Sequence, residues 1–365
     1  MTGRAPDRCG SVLDLIGGTP MVRIGVPMSG PHPGFWAKLE GVAPGGMKAR
    51  AARAMLAGAR ARGELRPGGT VIESTSGTLG LGLAFVGAAW GHPVVVVADA
   101  ELDELTRALL AAHGVRVELV REPHPVGGWQ RARLERVREL MAELPGAYWP
   151  DQYGNPDNVV GYRELGHELL DQLPDVEVVV CGVGTGGHSA GIAQVLRRRR
   201  PRVRLVGVDA AGSAVFGDPA VPRLMRGLGS SIHPGNVDYD AFDEVHWLGA
   251  AESAAACLRL ASGAFVTGGW STGAVALVAS WCARELGSDR VAAVFPDGPH
   301  RYWRTIYDAE FRAGLPDPVS EPSEVDGVPD EVDSATSWRR SRKVVDPCAH
   351  RAAGSAGCPV CEVRP

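Results

Sequence analysis

The stretch Val178-Val179-Val180-Cys181-Gly182-Val183-Gly184-Thr185-Gly186-Gly187-His188-Ser189 constrains this chain more than any other. Its apolar start reads as a buried strand, its glycines as a turn, and Ser189 to Arg200 as a helix. Glycines allow backbone N–H groups to converge, and a helix N-terminus adds partial positive charge, so the turn suits a phosphate. Thr185, His188 and Ser189 could add side-chain bonds. The spacing is neither G-x-G-x-x-G nor a P-loop, which ends in Gly-Lys-Ser/Thr. A plain strand-to-helix turn is the simpler reading, but glycines this dense usually mean a ligand pressed against the backbone.

The same alternation continues along the chain. Strands are expected at 70–73, 93–98, 115–120, 205–209 and 291–295, and helices at 49–63, 79–90, 102–113 and 128–144. That pattern predicts α/β layers with mostly parallel sheets. The 365 residues suffice for about two domains. Residues 316–337 are rich in Pro, Asp, Glu and Ser without apolar periodicity, and read as a flexible linker.

With 45% hydrophobic and 22% charged residues, the composition is that of a soluble globular protein. A net charge of −4 excludes a basic field for nucleic acid or an anionic membrane, and Arg197–Arg200 reads as a solvated helix end. Residues 1–10 show no signal-peptide pattern and no apolar run is long enough to span a membrane. With seven cysteines, an odd count, this favours reduced thiols in a cytoplasm.

Ala43-Pro44-Gly45-Gly46-Met47-Lys48 precedes an alanine-rich helix. On its own Lys48 reads as a surface lysine. A lysine at a helix mouth has its ammonium form disfavoured, and a neutral amine can form an imine with an aldehyde. A phosphate cradle together with such a lysine is what pyridoxal phosphate requires. The turn Ser74-Thr75-Ser76-Gly77-Thr78 offers hydroxyls and N–H groups for a carboxylate, or simple helix caps.

Taken in order, these segments resemble the cysteine synthase and cystathionine β-synthase family, the fold type II pyridoxal-phosphate enzymes. The resemblance runs from about Leu13 to Tyr307. It is carried by Ile16-Gly17-Gly18-Thr19-Pro20, Pro44-Gly45-Gly46-Met47-Lys48, Thr75-Ser76-Gly77, Asp151-Gln152-Tyr153 with Asn155-Pro156-Asp157-Asn158, Gly184-Thr185-Gly186-Gly187, Gly269-Trp270-Ser271-Thr272-Gly273, and Pro296-Asp297-Gly298 with Arg301-Tyr302.

The resemblance implies two parallel-rich three-layer α/β domains, tryptophan-synthase-β-like. Residues 1–37 plus 149–312 would form the larger, 38–148 the smaller and mobile one, with 313–365 a linker and tail. It implies Lys48 as the Schiff-base lysine and catalytic base. Thr75, Ser76, Gly77, Thr78 and Gln152 would hold the substrate carboxylate. The cofactor would meet Thr78, Gly184, Thr185, Gly186, Gly187, His188, Asp297 and Gly298. The implied reaction is β-replacement, in which sulfide or another nucleophile adds to an aminoacrylate made from an activated serine or cysteine. The alternatives are β-elimination, as in a cysteine desulfhydrase, and a silent binding protein. A homodimer is implied too.

The chain departs from the family where it would steer the reaction. Ser-Gly-Asn-Thr-Gly becomes Ser76-Gly77-Thr78-Leu79-Gly80, Lys-Asp-Arg becomes Lys48-Ala49-Arg50, and His188 replaces a threonine. The Ser or Thr expected against the pyridine nitrogen is Gly298, so water, backbone or Asp297 would take over that contact. Trp270 and Tyr153 are candidates to line the nucleophile pocket. In the tail, Cys348, His350, Cys358 and Cys361 have zinc-ligand spacing, though a tail with incidental cysteines explains them as well.

Overall fold

The computed structural model describes residues 8–348, apart from Ser76, Val126, Phe265 and Val328. It contains two sheets. The larger is built from β1 (Met21–Ile24), β2 (Phe35–Leu39), β6 (Val178–Gly182), β7 (Arg204–Ala210), β8 (Glu244–Leu248), β9 (Val291–Phe295), β10 (Ser323–Glu324) and β11 (Trp338–Ser341), in the order β1-β2-β9-β6-β7-β8-β11-β10. The smaller is β3 (Val71–Ser74), β4 (Val94–Asp99) and β5 (Arg116–Val120), all parallel. The run from β2 through β9, β6 and β7 to β8 is parallel as well.

Apolar runs explain the parallel strands. Every residue of β4, β6, β8 and β9 is buried, as expected where helices cover both faces of a sheet. The helices are α1 (Lys48–Arg62), α2 (Thr78–Trp90), α3 (Glu104–Ala112), α4 (Gly128–Glu143), α5 (Pro156–Val160), α6 (Arg163–Gln172), α7 (Gly187–Arg199), α8 (Ala250–Ala264), α9 (Trp270–Leu286) and α10 (Ala309–Ala313). The strand-helix alternation expected up to residue 209 is present within a residue or two at most ends. Strand β8 and helices α6, α8 and α9 were not anticipated: α8 and α9 are alanine-rich stretches with little periodicity, and Glu244 and His246 disguise β8 as polar although all five of its residues are buried.

Two expectations need correction. A domain division between residues 37 and 38 would cut β2, whose residues 36–39 all pair with β9. The change of sheet therefore comes after Leu39. Residues 316–337 are not a free linker. Val319 and Ser337 donate backbone N–H groups to the buried Glu252, and β11 pairs antiparallel with β8. Trp338 is 3% exposed, and its indole N–H donates to Nδ1 of the buried His246 at 3.0 Å. One tryptophan supplies the core contact, and the arginines beside it disguise the strand. Of the four tail residues with metal-ligand spacing, His350, Cys358 and Cys361 lie outside the described residues.

A buried ionic cluster anchors α1. Arg50 donates to both oxygens of Glu40 (2.7 and 2.9 Å) and of Glu168 (2.8 and 2.9 Å). Lys38 in β2 meets Glu168 at 2.5 Å and donates to the Thr19 carbonyl at 2.6 Å. Two cations and two carboxylates compensate each other, as burial demands. The cluster fixes the start of α1 between β2 and α6.

Candidate active site

Lys48 is the first residue of α1. The turn before it uses Gly45 and Gly46 at φ +73° and +61°, which favour glycine. The Met47 N–H donates to the Pro296 carbonyl at 3.0 Å, tying the lysine to the end of β9. Lys48 is half-buried, and desolvation lowers its amine to about 8, although Glu73 pulls the other way. Its Nζ donates to Thr185 Oγ1 at 3.1 Å. The candidate imine lysine and the glycine loop thus meet, although 137 residues separate them.

The loop is built on β6 and α7. Gly186 at φ +81° precedes the helix, and no side chain caps it. Its leading N–H groups are left to a ligand or solvent. A Cβ on Gly186 would stand 2.6 Å from Val237 N, and one on Gly187 2.2 Å from Asn158 Oδ1. Ser189 does not reach outward, since its hydroxyl donates to the Gly186 carbonyl at 2.9 Å. His188 lines the cleft and packs edge-on against Tyr162. Desolvation, with Lys48 nearby, pulls its ring down to about 3, so it is neutral.

A second helix start faces the same cleft. Gly77 precedes α2 without a side-chain cap, and its N–H donates to Thr75 Oγ1 at 3.1 Å. Thr75, Gly77, Thr78 and Leu79 line the cleft, with Gln152 opposite. Gln152 donates from Nε2 to the Ser74 carbonyl at 2.8 Å, and its carbonyl accepts from Asn158 Nδ2 at 2.6 Å. Ser76 lies outside the described residues.

Asp297 also lines the cleft, and accepts from the Tyr302 hydroxyl and from the Gly269 N–H at 3.2 Å. Burial raises its carboxyl above the ordinary value. Gly298 is absent from the cleft wall. A Cβ there would meet His300 at 3.6 Å and the Gly41 carbonyl at 3.8 Å. Tyr153 lines this cleft, whereas Trp270 lines its neighbour, packed against Phe311.

Sequence reasoning missed Glu73, Asn158 and Arg133. Glu73 in β3 is fully buried and accepts N–H bonds from Ser74, Trp149 and Gln152. Burial and the neighbouring Asp151 push its carboxyl up to about 8. Its signal was available, as a charge inside an apolar strand needs partners. Asn158 was quoted within a motif, but its bridge from Gln152 to Thr185 is visible only in the fold. Arg133 looked like one more charge on an amphipathic helix, yet it is buried and lines the cleft.

The residues fit pyridoxal phosphate. An uncapped helix start can receive its phosphate, and a lysine of lowered basicity stands beside that loop to receive its aldehyde. Among the described residues, no helix is long and apolar enough to cross a membrane.

Known proteins agree with this reading. Residues 12–297 match the family described as pyridoxal-phosphate dependent enzyme. An N-(2-amino-2-carboxyethyl)-L-glutamate synthase of Ralstonia nicotianae is 36% identical over 309 residues, which cover 84% of this chain and 91% of the relative. A cysteine synthase of Staphylococcus aureus is 32% identical, over 81% of this chain and 96% of that protein. The crystal structure of O-ureido-L-serine synthase superposes with a TM-score of 0.76 at 30% identity, covering 83% of this chain and 96% of the other. The chain belongs to the pyridoxal-phosphate dependent enzymes, as a cysteine-synthase-like member of fold type II that uses pyridoxal phosphate.

Proposed function

We propose that this enzyme carries out β-replacement on an activated serine, with its residues dividing the work as follows. When bound, pyridoxal phosphate draws electrons from the amino acid, which acidifies the α-proton and lets a β-substituent depart. The N–H groups of Gly184, Thr185, Gly186 and Gly187 hold the phosphate at the start of α7. Thr75, Ser76, Gly77, Thr78 and Gln152 hold the substrate carboxylate at the start of α2. Lys48 first holds the cofactor, then serves as base at Cα.

Asp297, held by the Tyr302 hydroxyl, would take over at the ring nitrogen the contact that Gly298 has no side chain to make. The observation that carries the reading is the 3.1 Å bond between Lys48 Nζ and Thr185 Oγ1, because it joins the lysine to the phosphate loop. We also infer a cytoplasmic homodimer, in keeping with the family resemblance. The product is open between a sulfur amino acid and an amine adduct of the kind named for the Ralstonia relative.

The test mixes holoenzyme with O-acetylserine, O-phosphoserine, serine and cysteine in turn, with a nucleophile present. Release of the leaving group with a β-substituted amino acid as product supports the reading. Pyruvate and ammonia as the only products, or no change in cofactor absorbance with any of the four, would overturn it.

A further inference from the structure

Strand β11 lies beyond residue 297, where the family match ends, yet one of its side chains is tied to the wall of the candidate active site. Successive strand residues point to opposite faces of a sheet. Trp338 bonds His246 on one face, whereas Arg339 lies over the Trp247 ring on the other, 5.1 Å from its centroid. From there Arg339 donates to Asp218 Oδ2 at 2.5 Å. The same oxygen accepts the Gly212 N–H at 2.9 Å, while Oδ1 has no hydrogen-bond partner among the described residues. Arg223 holds the same glycine by its carbonyl, at 2.7 Å.

Gly212, at φ +80°, opens a turn that carries this contact inward. Ser213 accepts the Ser230 N–H on Oγ at 3.0 Å, and the Ala214 N–H donates to the Ser230 carbonyl at 2.8 Å. Gly229 packs so closely that a Cβ on it would stand 2.7 Å from Ser213 Oγ. Gly227, Leu228 and Gly229 line the cleft. The carbonyls of Gly227 and Gly229 stand 3.7 and 3.8 Å from where a Cβ on Gly184 of the phosphate loop would lie. The Ser231 N–H donates to Gln130 in α4 at 2.5 Å, and Gln130 donates to the Tyr153 hydroxyl at 3.1 Å. An arginine on β11 thus fixes a buried carboxylate, the carboxylate fixes a turn, and the turn fixes one wall of the cleft.

We propose that Arg339 is a positioning residue: through Asp218 it holds the wall formed by Gly227, Leu228 and Gly229 against the phosphate loop and the bound amino acid. It touches neither cofactor nor substrate. A charge-assisted bond suits the task, being roughly twice as strong as a neutral one. Without Arg339, Asp218 stays buried with no cation bonded to it, and the turn at Gly212 loses its brace.

The amino-acid half of this inference rests on the β-replacement reading, and the cofactor half does not. The test measures two quantities below the melting temperature of each variant. One is the pyridoxal-phosphate concentration that half-saturates the protein, followed by absorbance. The other is KM for O-acetylserine or O-phosphoserine, with kcat counted per bound cofactor. In Arg339→Gln both should rise about tenfold, with kcat changing less. Arg339→Lys should recover part of the loss, since lysine can still donate to Asp218. Should Arg339→Gln fail to fold, Asp218→Asn/Arg339→Gln leaves no buried charge unpaired and should show the same rise, no larger than in Asp218→Asn alone. Trp338→Ala weakens the same strand from its other face, and should lower the melting temperature without moving either quantity. A lower melting temperature with both quantities unchanged in Arg339→Gln would overturn the inference. So would an equal rise in Trp338→Ala, or effects of the two single variants that add in the double. If the unaltered enzyme releases no leaving group from either serine derivative, the β-replacement reading falls, and cofactor half-saturation alone decides the role of Arg339.

Discussion

Lys48 Nζ and Thr185 Oγ1 stand 3.1 Å apart, a lysine at the start of one helix bonded to the loop at the start of another. Replacing the lysine should separate cofactor capture from folding. Lys48→Ala is expected to lose covalent cofactor after dialysis, with turnover down on the order of a thousandfold or more. Its melting temperature as apoprotein should not fall, because burial already disfavours the lysine's charge. Absorbance spectra, rates and thermal melts on one preparation test all three.

The lowered basicity of Lys48 has a pH signature. The amine reacts when neutral, so capture of added cofactor by apoprotein should accelerate as pH rises through about 8. The folded pKa lies below the ordinary 10.5, so between about 8 and 10.5 the unfolded chain binds more protons than the folded one. Stability from this group therefore rises with pH across that window, and the cost is present in full below it. Stopped-flow capture rates against pH test the first point. A flat profile from pH 7 to 9 would contradict it.

At Gly186 and Gly187 the phosphate loop has no room for an added methyl group. In Gly187→Ala the new carbon would stand 2.2 Å from Asn158 Oδ1, displacing the side chain that holds the Gln152 carbonyl. We expect about 1–3 kcal/mol of lost stability from overpacking. Weaker cofactor binding should accompany it, measured by equilibrium dialysis.

Asp297→Asn keeps the shape but removes the charge offered to the ring. Turnover should fall by roughly ten- to a hundredfold, or about 1.4–2.7 kcal/mol of barrier, with a shifted cofactor spectrum. An unchanged spectrum and rate would remove Asp297 from the proposed role. Tyr302→Phe takes one donor from Asp297 and should raise its carboxyl further above the ordinary range. Any activity limb due to Asp297 ionisation would move to higher pH.

Much of the fold was legible, because β4, β6 and β9 are apolar runs and glycine turns mark their ends. The site was legible wherever a short contiguous motif carries it, as at Lys48 and Gly184–Gly187. It was illegible where the chemistry depends on pairing across the chain. Arg133 and Arg226 share Asp99 across separations of 34 and 127 residues, and nothing local marks any of the three. Gly298 reads as part of the closing motif, but only the packing around His300 and Gly41 shows that it stays out of the cleft.

Trp338→Ala should cost about 3–5 kcal/mol, as for a large buried aromatic. A thermal melt would show it, and kcat should hold at temperatures where the variant is folded.

Strand β11 lies 41 residues past the last position matched by the family. It supplies the outer hydrogen-bonding partner of β8, over Trp338–Ser341 against Val245–Leu248. A protein trimmed to the family boundary would present β8 as a bare edge, with His246 and Trp281 uncovered beside it. Such an edge is a template for strand pairing between molecules. For this enzyme the unit that must be expressed to stay in solution is therefore longer than the unit that carries the chemistry.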